Sequence, residues 1–238
     1  MKKTINWLFI IICVVAFFVG CTPKVETDLL ECDAATMTQF PYNENGVIVD
    51  KHQTITPVTE HPGMVKIETY YVNKGKPITV RAYEMCRTEV EAADSVVWSL
   101  QPSSTSGRLD WVLPVTEGFK KENYLGMNNS DYGGGIPMLD LWQRDGGVAI
   151  GLIEPVLRMI SMPVEWKRYE NKVSMALRYE FEWPVELNTG DTLHTFTAFR
   201  YDHKGDFFNA LRTFSEVMQS EAGIELPASE PEAFEPVW

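Results

Sequence analysis

The chain is short of the residues that build metal centres, disulfide frameworks and nucleic-acid surfaces. Four cysteines and four histidines are spread through 238 residues, and no Cys/His spacing resembles a zinc site. Two of the cysteines, Cys13 and Cys21, fall within or just after an N-terminal apolar run. Cys32 and Cys86 remain, too few for a framework; one disulfide or two buried free thiols are both open. The four histidines, His52, His61, His194 and His203, are scattered, and neither a metal nor any other cofactor is expected. Basic residues are scarce too: 21 Lys and Arg stand against 33 Asp and Glu, a net charge of −12. Such a surface repels polyphosphate, which argues against nucleic acid as a partner and leaves neutral ligands.

Lys2 and Lys3 precede an apolar run from Trp7 to Val19, too short to span a bilayer comfortably and the size of a signal-peptide core. Directly after it, Phe18-Val-Gly-Cys21 resembles the bacterial lipobox. In that pattern a small residue precedes a cysteine that is acylated and becomes the new N-terminus. The expectation is a leader over residues 1–20, a lipid on Cys21 and a tether over 21–28. Several acyl chains on one cysteine anchor stably, since each buried CH2 contributes about 0.8 kcal/mol. Thr22, where an aspartate would resemble an inner-membrane retention signal, points to the outer membrane.

Beyond the tether the pattern is β. Asn43-Glu-Asn-Gly46 reads as a turn before a strand that starts at Val47. Val65, Ile67, Thr69 and Tyr71 alternate with polar residues, and Asn73-Lys-Gly-Lys76 then predicts a hairpin to Ile78, Val80 and Ala82. Ser95–Leu100, Trp111–Val115 and Val156–Pro163 read as further strands. Strict alternation at Val173, Met175, Leu177, Tyr179 and Phe181 predicts a strand with one face in the core and one in water. A turn at Leu187–Asp191 should lead to its return strand, from Leu193 to Tyr201. Many strands at short spacing between Gly, Asn and Pro turns imply a mainly β fold, an antiparallel β-sandwich over residues 29–204. One helix is expected over 205–223. Gly205-Asp206 would cap it, Phe207, Leu211, Phe214 and Met218 would make its apolar face, and Gly223 would end it. The tail from 224 alternates Pro and Glu, a solvated linker, and closes on Pro236-Val-Trp238 like the start of a strand.

The organising stretch runs from Asn128 to Pro155. Gly133, Gly134 and Gly135 give the backbone freedom to approach a ligand or another strand closely. They lead into a hairpin, Ile136–Gln143 with Val148–Glu154, around Arg144-Asp-Gly-Gly147, where Asp-Gly is expected to supply positive φ. The loop at its entry carries Asn128, Asn129, Asp131 and Tyr132. A tight structural loop is the plain reading of this segment; a ligand contact is the functional one.

Three segments carry a resemblance. Glu122–Pro137, His203–Phe214 and Glu235–Trp238 resemble the N-terminal part of bacterial melibiase-type α-galactosidases, glycoside hydrolase family 36, and the likeness extends over roughly residues 40 to 238. It implies a β-supersandwich of the galactose-mutarotase-like type, a linking helix, and a (β/α)8 barrel beginning near Trp238, the chain being the front part of a longer protein. It also implies that no acidic residue here is catalytic. Retaining glycosidases need two carboxylates about 5 Å apart, and in this family both lie on barrel strands. The residues expected to touch an α-galactoside are Asp131 and Tyr132, with Trp142 as a third candidate that reads first as hairpin core. Two other readings stay open: a free-standing carbohydrate-binding surface lipoprotein, and a structural domain that orients or dimerises an enzyme.

Overall fold

The computed structural model describes residues 29–92, 96–102, 111–125, 135–156, 158–221 and 223. The leader, Cys21, the loop residues Asp131 and Tyr132, and the tail from 224 lie outside the described residues. In chain order the strands are β1 (Leu30–Cys32), β2 (Thr36–Met37), β3 (Tyr42–Glu44), β4 (Val47–Pro57), β5 (Met64–Asn73), β6 (Ile78–Glu91), β7 (Val97–Leu100), β8 (Val112–Val115), β9 (Lys120–Leu125), β10 (Met138–Trp142), β11 (Gly146–Leu152), β12 (Ile160–Lys167), β13 (Lys172–Leu187), β14 (Thr192–His194) and β15 (Ala198–Lys204), followed by helix α1 (Phe207–Glu221). They form two antiparallel sheets, a β-sandwich. The six-stranded sheet runs β2-β1-β6-β13-β12-β9; the nine-stranded sheet runs β3-β4-β5-β15-β11-β10-β7-β8, with β14 beside β5.

The main core lies between the sheets, where Leu30, Val49, Ile67, Tyr71, Val80, Met85, Ile150, Met162, Met175 and Leu177 are buried together. Cys32 and Cys86 are buried free thiols. A second, smaller core lies on the outer face of the nine-stranded sheet. There Met64, Met138, Trp142, Ala149 and Phe199 meet Ala210, Phe214, Val217 and Met218 of α1. Phe208 N donates to Asp206 Oδ1 at 3.1 Å, the expected N-cap, and Gly223 has φ 63° just past the helix end. The buried face centres on Phe214 and Val217, with Phe207 and Leu211 half-buried at its margin.

Several strand pairings differ from the expectation. The β5–β6 hairpin does not form: β5 pairs β4, β14 and β15, while β6 pairs β1 and β13 in the other sheet. The return strand after β13 likewise crosses over, as β14 and β15, to pair with β5 and β11. Both connections are therefore arches over one end of the sandwich. Buried Asn73 ties them together. Its Nδ2 donates to Lys76 O at 3.0 Å and Leu187 O at 2.8 Å, and its Oδ1 accepts from Gly75 N at 3.0 Å. Its backbone N donates to Asp191 O, and its carbonyl accepts from Gly190 N.

The first half of β13 is buried on both faces, Ser174 and Ala176 included, rather than half-exposed. The strand sits between β6 and β12, and its small outward residues lie beneath long neighbours: Glu89, opposite Ser174, forms ion pairs with Lys167 and Lys172. Further along, Val156 and Met159 are exposed, and β12 starts only at Ile160. The Asn45-Gly46 turn has φ of 53° and 79°, the pair of positive values that a two-residue hairpin requires.

The central hairpin forms with Met138 opposite Gly151 and Trp142 opposite Gly147. Its glycines act differently from expectation. Gln143 N donates to Gly146 O, so the turn is Arg144-Asp145, and Gly146 and Gly147 lie in β11 without positive φ. They lack side chains because there is no room. A Cβ on Gly147 would lie 2.6 Å from Trp142 Cβ, and one on Gly151 would lie 2.4 Å from the Phe199 ring. Gly147, Ala149 and Gly151 thus form a shallow trough in the outer face, across which Asp140 of β10 reaches His203 of β15. His203 Nε2 and Asp140 Oδ1 are 2.9 Å apart with both side chains fully buried. Burial raises the Asp140 pKa, although the His203 contact opposes it. Burial would lower that of His203, but the hydrogen bond and charge of Asp140, with Lys204 O and Asp202, outweigh it and the net direction is upward. The pair keeps its proton to higher pH than either group would in water.

Asn73→Ala should lower unfolding stability by about 2–3 kcal/mol, because the buried Leu187 carbonyl and the part-buried Lys76 carbonyl lose their donor. Asn73→Asp should not restore it, since a carboxylate cannot donate; urea unfolding midpoints check both. Because the His203 pKa is raised in the folded state, its contribution is complete below about pH 6.5 and is lost as pH rises through the folded value. Urea midpoints measured from pH 6 to 9 should therefore fall with pH. His203→Gln should flatten that slope, and removing the Asp140 partner by Asp140→Ala should cost about 3–5 kcal/mol.

Candidate functional site

The glycine-rich loop enters the described structure at Gly135, whose φ of 101° suits glycine alone. Gly135 stands at the rim of a pocket of about 510 Å³. One wall is the entry and exit of the central hairpin, Ile136, Pro137, Leu152 and Glu154; the other is the second half of α1, Leu211, Phe214 and Met218. The wall geometry comes from the hairpin itself: Leu152 N donates to Pro137 O, which pins its two ends side by side at the mouth. The lining is largely apolar, with Glu154 and Arg158 as its ionisable groups.

Arg158 is the side chain that sequence reasoning missed. Its guanidinium carbon lies 4.9 Å from the centroid of the Phe196 ring, a cation–π contact, and its Nε is buried without a hydrogen-bond partner among the described residues. Phe196 belongs to an aromatic cluster with Tyr83 and Tyr179, at centroid separations of 6.3 and 5.0 Å. Burial holds the Tyr83 phenol protonated well above its ordinary range. Tyr179 and Glu154 add to this, while the Phe196 backbone and Arg158 act against it. Glu154 and Arg158, which line the pocket, therefore both act on the Tyr83 phenol. An apolar wall with one fixed cation and one carboxylate suits a neutral, amphiphilic ligand with hydroxyl groups.

The structure separates the sequence candidates. Asp131 and Tyr132 precede Gly135 and lie outside the described residues. Trp142 is at the far end of the hairpin, not at this pocket. It is 8% exposed, packed against Phe207 at 5.2 Å and Trp98 at 6.5 Å, so the hairpin-core reading describes it. Among the described residues no three His, Cys, Asp or Glu side chains converge to hold a metal ion. In the sequence Glu154 and Arg158 read as members of the strands Val148–Glu154 and Val156–Pro163, whereas they lie in the irregular connection between β11 and β12.

No protein-family model matches the chain. It is 24% identical over 202 aligned residues to an A type blood alpha-D-galactosamine galactosaminidase of Flavonifractor plautii, covering 75% of this chain and 18% of that protein. Among solved structures, the GH36 alpha-galactosidase AgaA of Geobacillus stearothermophilus, in complex with raffinose, matches with a TM-score of 0.60 at 12% identity, over 82% of this chain and 32% of its own. The galactosidase domain of alpha-galactosidase-sucrose kinase, AgaSK, matches with a TM-score of 0.52 at 14% identity, over 66% of this chain and 22% of its own. The chain thus spans about a fifth of the curated relative and under a third of AgaA. Its β-sandwich shares its fold with part of the family 36 α-galactosidases.

Proposed function

We propose that this chain is the N-terminal, non-catalytic β-sandwich portion of a glycoside hydrolase that cleaves terminal α-galactosides. The observation that carries the reading is the match to a galactosaminidase over three quarters of this chain but only 18% of that protein, supported by the fold likeness to AgaA. In this reading the two carboxylates of a retaining mechanism come from a (β/α)8 barrel, and the sandwich lends a loop to the sugar. Asp131 accepts hydrogen bonds from vicinal hydroxyls and Tyr132 stacks on the apolar face of galactose. The leader and Cys21 make the protein an exported lipoprotein, tethered to the outer membrane, and homo-oligomerisation belongs to the same reading.

The purified chain should leave p-nitrophenyl α-D-galactopyranoside unhydrolysed; turnover at enzymatic rates by this chain alone would overturn the proposal. In an enzyme that contains the domain, Asp131→Ala should lower kcat/KM about tenfold, equal to the loss of one or two hydrogen bonds. An unchanged kcat/KM would show that the loop does not reach the sugar. Cys21→Ala should abolish incorporation of labelled fatty acid in growing cells, and retention of label would remove the anchor.

A further inference from the structure

The opposite end of the central hairpin carries a second, chemically different recess. It measures about 390 Å³ and is lined by Val96, Trp98, Trp142, Gln143, Arg144, Gly205 and Asp206. Trp98 and Trp142 are cross-strand partners with rings 22° from parallel. The aromatic series continues from Trp142 to Phe207 at 5.2 Å and on to Phe208 at 4.2 Å. Within it Trp98 is 39% exposed and Phe208 66% exposed, while Trp142 is buried and serves as backing. Val96 beside it is 56% exposed, and α1, which packs on Trp142 and Phe199, leaves the Trp98 indole partly open on the same sheet face.

The polar groups around Trp98 decide what fits. Arg144 is exposed and forms no ion pair among the described residues, and Asp206 accepts the α1 cap bond through Oδ1. Gln143 is held in place by its Nε2 bond to Glu91 O at 2.7 Å. One cation and one carboxylate in the same recess leave it close to charge-neutral, which disfavours an ionic ligand. An aliphatic peptide side chain would bury both charges without partners. A pyranose ring meets every requirement: its C–H face lies on an indole, and its equatorial hydroxyls can accept from a guanidinium and donate to a carboxylate.

We propose that Trp98, with Arg144 and Asp206, forms a saccharide-binding subsite that takes one pyranose unit of a neutral oligosaccharide, with Trp98 as its platform. The inference rests on the carbohydrate reading above for its choice of probe sugar.

The test is titration of the purified chain with raffinose, and with maltotriose as an α-glucoside contrast, followed by tryptophan fluorescence and calorimetry. Saturable quenching by raffinose is expected. Trp98→Ala should weaken binding about tenfold, Trp98→Phe less, and Arg144→Ala several-fold, with far-UV circular dichroism unchanged. Raffinose binding that is untouched by Trp98→Ala would overturn the subsite while leaving the α-galactoside reading intact. Binding of maltotriose alone, lost on Trp98→Ala, would support the subsite and count against that reading. If neither sugar binds and Trp98→Ala instead dissociates a dimer in sedimentation, the patch is a protein interface and the inference is overturned.

Discussion

The arrangement of this sandwich turns on one buried amide. Among the connections that leave one sheet and enter the other are those from β5 to β6 and from β13 to β14, which meet at one end of the sandwich. The Leu187 carbonyl of the second is buried. Asn73 supplies donors to both arches, from Nδ2 to Lys76 O and Leu187 O and from its backbone to Asp191 O, and receives Gly75 N and Gly190 N in return. An unpaired polar group costs most where burial is deepest, and this residue is fully buried. That knot ties the two arches to each other at one end of the sandwich.

The nine-stranded sheet is apolar on both sides because small residues of β11 make its outer face shallow. Gly147, Ala149 and Gly151 let Trp142, Phe199 and the Asp140–His203 pair lie across the strand, and α1 then closes over them. The ion pair is oriented by this packing rather than by solvent. A buried pair of this kind contributes little net stability compared with apolar side chains of the same shape, but it holds β10 and β15 in a single register. Both pockets lie at ends of the β10–β11 hairpin, so this register also sets their walls.

Much of the local structure was legible because alternation reports which side chains face inward. β5, β10, β11 and β13, the Asn45-Gly46 turn and the capped helix all lie where the pattern put them. Alternation does not say which sheet a strand joins. β5 and β6 both turn an apolar face to the core, and that fits two neighbours in one sheet as well as two opponents across a sandwich. Ser174 and Ala176 read as water-facing for a related reason: their cover comes from Glu89, Lys167 and Lys172, residues distant in sequence. For the site, Gly135 lines a pocket, while the rest of the glycine run lies outside the described residues. Arg158 and Glu154 were hidden because apolar neighbours made their segments read as strands, where the structure has an irregular connection. Asp140 offered a faint signal, a lone acid between Leu139 and Leu141 in an apolar strand, which is unusual without a partner.

Helix α1 also touches both recesses. Asp206, at its cap, belongs to the recess with Trp98; Phe214, Met218 and Gln219 belong to the pocket beside Gly135. At 1.5 Å per residue these contacts lie roughly 12–20 Å apart along one stiff rod. A tilt of that rod that widens one recess must alter the other, so the two cannot change shape independently.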